Sequence, residues 1–150
     1  MKSIASIAVL AGLTFAAGAA LAHDDAYLDT QKAPNGGQLR MAGPNHYELV
    51  LVKDAKEVRE NPVVVYVTDH AGQRIPTAGA AGTATILAGK LKAAATLKPD
   101  GDNRMKGVAK YASTPDTKAV VSITLAGKQP EQARFTPLAV AKDTHTDHTH

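Results

Sequence analysis

Pro62-Val63-Val64-Val65-Tyr66-Val67-Thr68 decides the fold class. After the proline every side chain is β-branched or aromatic, the kinds that suit a pleated surface, and proline is tolerated at a strand's first position. Upstream, in His46 to Lys53, Tyr47, Leu49 and Leu51 alternate with Glu48, Val50 and Val52. The second set is also mostly apolar, which predicts a strand covered on both faces. Between the two lies a charged connection, Asp54 to Asn61, with room for one helical turn. Gln38 to Ala42 is a weaker first strand closed by Gly43-Pro44-Asn45, and the ordered part starts near Ala33-Pro34-Asn35-Gly36-Gly37.

Downstream the same grammar repeats. Asp69-His70-Ala71-Gly72-Gln73 is a turn, and Gly82 to Ala88 with Leu91 to Leu97 form a hairpin around Gly89-Lys90. Ala93-Ala94-Ala95 is too short for a helix and is closed by Thr96 and Pro99. After the turn Pro99 to Asn103 come strands at Arg104 to Tyr111, Lys118 to Leu125 and Glu131 to Leu138. No apolar stripe of period 3.6 and no internal repeat interrupts this pattern. The prediction is an all-β fold: one antiparallel β-sandwich of about seven or eight strands spanning 34–139.

The ends read differently. Met1-Lys2-Ser3 is a short positive start, Ile4 to Ala20 is an Ala/Leu/Gly-rich apolar run, and Ala20-Leu21-Ala22 fits the small-x-small rule of signal peptidase. Residues 1–22 are thus expected to be a signal peptide cut after Ala22. An uncleaved anchor is the weaker reading, because the run lacks a stop-transfer flank. The mature chain would be exported, with no stable membrane insertion. It would begin at His23 with a flexible polar lead-in, 23–33, and finish in a disordered His-rich tail, 140–150. The formal charge of +3 comes from 17 basic and 14 acidic residues, and loss of Lys2 leaves 16 against 14, or +2. The absence of cysteine excludes disulfides, thiolate metal sites, thiol catalysis, covalent haem attachment and a lipoprotein anchor. With 4% aromatic residues and interspersed charges there is no stacking platform for nucleic acid.

Six histidines carry the chemistry, four of them at the ends of the mature chain. His145, His148 and His150 lie among Thr and Asp with no apolar residue after Ala141, so nothing buries them. Together they can reach one ion, with an oxygen from Asp143 or Asp147, at an ordering cost of about 1–2 kcal/mol per fixed residue. His23, as a new amino terminus, offers its amine and imidazole to one copper ion, beside Asp24 and Asp25. His46 and Glu48 stand two apart on a strand and therefore share a face. They could hold an ion together or bond one another, although an edge pair facing solvent is the plainer reading. His70 sits in its turn, where a lone histidine more often bonds its own backbone. The donor set is imidazole and carboxylate, which suits copper or zinc.

Several stretches carry a family likeness: Pro34-Asn35-Gly36-Gly37-Gln38-Leu39, Gly43 through His46-Tyr47-Glu48-Leu49-Val50, Val65 through His70, and Ala78 through Gly82. They resemble small periplasmic β-domain proteins associated with heavy-metal resistance and efflux, similar to the domain that accompanies periplasmic adaptor subunits of heavy-metal efflux pumps. Leu97-Lys98-Pro99 through Asn103, Lys118 to Val121 and Ala133-Arg134-Phe135 fit the same layout, so the likeness spans about residues 34–137. The resemblance implies that His46, Glu48 and His70 are functional or structural positions. In that family a histidine often precedes the Gly-Gly pair. Here Asn35 stands there, and an amide is a poor ligand for copper or zinc.

The leading expectation is a non-enzymatic periplasmic protein that buffers or delivers copper- or zinc-type ions, with a heavy-metal efflux adaptor as a candidate partner. Metals take the neutral imidazole, so affinity should fall below about pH 6.5. A copper oxidase headed by His23 is a second class, weakened by the scarcity of aromatic residues for a sugar face. Gly-x-Ser-x-Gly, His-Glu-x-x-His and a glycine-rich phosphate loop are all missing. A third class is an interaction module that docks on an efflux component through a sheet edge.

Overall fold

Alternation of apolar and polar side chains governs nearly every element of the computed structural model, which describes residues 24–140. The expected signal peptide, His23 and the tail residues His145, His148 and His150 lie outside the described residues. Eight strands follow a short helix: α1 (Asp25–Asp29), β1 (Gln38–Ala42), β2 (Asn45–Leu51), β3 (Arg59–Asp69), β4 (Ala81–Ala88), β5 (Leu91–Pro99), β6 (Arg104–Tyr111), β7 (Lys118–Thr124) and β8 (Pro130–Phe135). The fold is all-β as expected.

All eight strands join one antiparallel sheet in the order β1-β2-β3-β6-β5-β4-β7-β8. The sheet curls until its first and last strands meet: the Thr136 backbone N–H donates to Gln38 Oε1 at 2.8 Å. β5 and β6 pair in register at Lys98↔Lys106 and Pro99↔Met105 and stay packed side by side beyond that corner. Curling turns one face of each strand inward. Tyr47, Leu49, Val63, Val65, Val67, Met105, Ile86, Leu97, Val121 and Ile123 are almost wholly buried there in one cluster. With no disulfide, this burial is what holds the domain together.

Two inward tyrosines also tie the backbone. The Tyr111 hydroxyl accepts from the Val52 N–H at 3.0 Å and donates to the Pro62 carbonyl at 2.7 Å. It thereby fixes the connection that leaves β2. That connection runs from 52 to 58 without a helical turn, because β3 begins at Arg59 and not at the proline. Pro62 is tolerated inside β3 because the β2 ladder has already ended, at Leu51↔Val63. The last strand stops at Phe135, short of the expected Leu138, with Pro137 just beyond it.

The amino-terminal segment departs most from expectation. Residues read from sequence as an unstructured lead-in carry α1. Asp24 caps the helix by accepting from the Tyr27 N–H at 2.8 Å, and Leu28 buries itself as its single apolar anchor. Arg40 of β1 reaches across to Asp29 at 2.7 Å and to Asp25 at 3.8 Å. One leucine and one arginine suffice to seat a turn of helix too short to show a period. Among the described residues, no helix is long and apolar enough to cross a membrane.

Burial pushes the Tyr47 hydroxyl well above its ordinary value of 10.0, with the Glu131 carboxylate adding to the effect. Burial likewise raises Tyr111, partly offset by its bond from Val52. A phenol whose folded pKa exceeds its unfolded one stabilises the fold fully below the unfolded value, and that contribution is lost as pH climbs toward the folded value. We therefore expect urea midpoints to be flat near neutrality and to fall above about pH 10. Tyr47→Phe should flatten that alkaline limb. A limb unchanged in Tyr47→Phe would show that another group sets it.

Candidate functional site

The covered outer face of β2 is where polar chemistry collects. Pairing places Thr68 opposite His46 and Tyr66 opposite Glu48. His70 follows Thr68 by two residues, and strand alternation carries it to the same side. The His46 and His70 rings stand 4.9 Å apart, centroid to centroid, edge to face at 64°. Residues 24 apart in the chain are thus neighbours in space. The expectation of a solvent-facing edge pair fails for His46. It is only 6% exposed, because β1 pairs along β2's other side and makes it an interior strand.

A pocket of about 400 Å³ opens over this face, lined among others by His46, His70, Tyr66 and Asn35, with Tyr27 and Leu28 of α1 on its other side. The helix that the sequence did not announce is therefore one wall of the pocket.

Glu48 has a different role from the one its spacing implied. It is 3% exposed, and its carboxylate accepts from the Asn35 backbone N–H and the Gly37 N–H, both at 2.9 Å, and from Asn35 Nδ2 at 3.0 Å. These bonds make it the anchor of the Pro34-to-Gly37 turn. The glycines make that approach feasible. A Cβ on Gly37 would collide with the Leu49 carbonyl, and Gly36 has φ +73°. The turn after β3 is likewise held by Asp69, whose carboxylate accepts from Ala71 and Gln73 at 2.9 and 2.8 Å. His70, between Asp69 and Ala71, lines the pocket.

Of the sequence candidates, the structure brings together His46 and His70, with Glu48 fastening the floor beside them. His23, His145, His148 and His150 fall outside the described residues. Among those described, no group of three or more His, Cys, Asp or Glu side chains is arranged to hold a metal. Two residues escaped sequence reasoning. Tyr66 faces the pocket from β3. Met41 is the direct cross-strand partner of His46 on β1, which puts a thioether on the same face. The pairing register would have revealed both, but one sequence does not supply it. Arg74, at the rim, pairs loosely with Asp102 at 3.8 Å, both well exposed, and contributes little.

Comparison with protein families, with curated proteins and with solved structures finds no match to this chain.

Glu48→Ala should cost about 1–3 kcal/mol in urea unfolding, since two half-buried N–H groups of the turn lose their acceptor. Glu48→Gln should cost less, because one oxygen remains. Equal stability of Glu48→Ala and the parent would mean that the turn is held by something else.

Proposed function

We propose that the protein is an exported, non-enzymatic metal-binding protein that captures copper- or zinc-type ions and hands them on, in the periplasm and in the service of metal resistance or efflux. The observation that carries this reading is the convergence of His46 and His70 in one pocket wall at 4.9 Å. Imidazole nitrogens suit copper and zinc, and Met41 beside them tilts the preference toward copper. Two imidazoles leave coordination positions open to water or to a recipient's ligands. An incomplete shell favours exchange over storage, which is what delivery needs. The export signal and the imidazole-rich tail support the same reading: His145, His148 and His150 would gather ions, with His23 as a further donor. The likeness to heavy-metal efflux domains points the same way.

Calorimetric titration of the mature chain with copper and with zinc tests the proposal. Removing residues 143–150 should leave one site per chain, and His46→Ala with His70→Ala should abolish it. Retention of that site in the double variant would overturn the role of the pair. No binding at micromolar metal in the parent would end the metal reading altogether. Asn35→His should add a third imidazole beside the pair and tighten binding at least about tenfold, roughly 1.4 kcal/mol or more. No gain would place position 35 out of reach of the ion.

A further inference from the structure

The histidine pocket is larger and more positive than a bare ion calls for. Its volume is about 400 Å³. An ion bridging two imidazoles and carrying two waters fills a fraction of that, at about 30 Å³ per water. Small organic ligands are the usual occupants of pockets between about 300 and 1,000 Å³.

Charge also points away from a naked cation. Lys32 and Arg74 both line the pocket, and they come from separate segments. Lys32 follows α1, whereas Arg74 bridges to Thr68, the residue opposite His46. The Arg74 side chain is 73% exposed, and its approach to Asp102 at 3.8 Å is loose. Lys32 makes no ion pair among the described residues. Glu48 is the one carboxylate among the described residues of the lining, and the N–H groups of Asn35 and Gly37 engage it. A dissolved divalent cation entering here would meet two like charges.

Two further observations agree. Among the described residues no third His, Cys, Asp or Glu completes a metal-holding group with His46 and His70, so an ion there needs donors from elsewhere. On the α1 side the lining offers the ring of Tyr27, which is 45% exposed. A carbon skeleton would cover that ring, and a hydrated ion would not.

We propose that the ion enters this pocket already held by a small organic polycarboxylate, and that protein, ion and chelator form a ternary complex. The inference rests on the reading of His46 and His70 as ligands and names the form in which their ion arrives. The chelator's oxygens supply the donors that the protein lacks, and the two imidazoles displace water from the remaining positions. A divalent ion on a tricarboxylate carries net negative charge, which suits Lys32 and Arg74. Their side chains face the carboxylate oxygens as charge-assisted donors.

Equilibrium dialysis of radiolabelled citrate against the full mature chain, with and without equimolar copper, tests this. Citrate should be retained at about one per chain with copper and at least about tenfold more weakly without it. Lys32→Glu with Arg74→Glu should cut that retention at least about tenfold, while titration with copper alone stays as in the parent. His46→Ala with His70→Ala should abolish it. Copper binding at the pair with no citrate retained would overturn the proposal and leave the metal reading standing. Equal retention without copper would overturn it too, as an anion site indifferent to metal. Citrate retention untouched by the charge reversals would place the chelator elsewhere and overturn it likewise. Absence of copper binding in every arm would remove the metal reading itself, and this inference with it.

Discussion

A buried carboxylate in the middle of an interior strand constrains everything around it. Glu48 lies between Tyr47 and Leu49, whose side chains fill the core, and β1 and β3 flank its backbone on both sides. A charge in that position is tolerable only when its oxygens are fully engaged. The turn at Asn35 to Gly37 engages them with three hydrogen bonds. Folding that turn down over β2 brings the amino-terminal segment back across the outer face. There Leu28 finds burial and Arg40 finds Asp29. Take the carboxylate away and the turn, the helix seat and the far wall of the histidine pocket lose their common fastening.

The same constraint explains why the site was only half legible from the chain. His46 and Glu48 were visible as a same-face pair because strand periodicity fixes that relation locally. Their division of labour was not visible, since it depends on a turn more than ten residues upstream. His70 could be recognised as a histidine in a turn. Its place beside His46 needed the β2–β3 register, which a single sequence leaves open. Met41 and Tyr66 were hidden for the same reason. The imidazoles of His145, His148 and His150, by contrast, needed no geometry to be noticed, because no apolar residue follows Ala141 to offer burial.

Fold class was readable wherever alternation was strong. The Val63-to-Val67 run, the hairpin around Gly89-Lys90 and the strand from Arg104 to Tyr111 all stand where their patterns put them. Three features escaped, each through a tertiary effect. Pro62 sits inside β3, where β2 has already ended. The connection after β2 is pinned by Tyr111 and Ser113 and needs no helical turn. And α1 owes its existence to one cap, one leucine and one arginine, too little for any periodic signal to register.

β3 sets the geometry of the histidine pocket. His70 lies just past its final residue, in a turn whose backbone is held by the Asp69 carboxylate, and Thr68, two residues earlier, stands opposite His46. The distance between the two imidazoles is therefore fixed by the β2–β3 register and not by either histidine alone. A slip of one residue in that register would turn one ring to the opposite face of the sheet, so the core packing of Tyr47, Leu49, Val65 and Val67, which forbids the slip, is also what keeps the pair together.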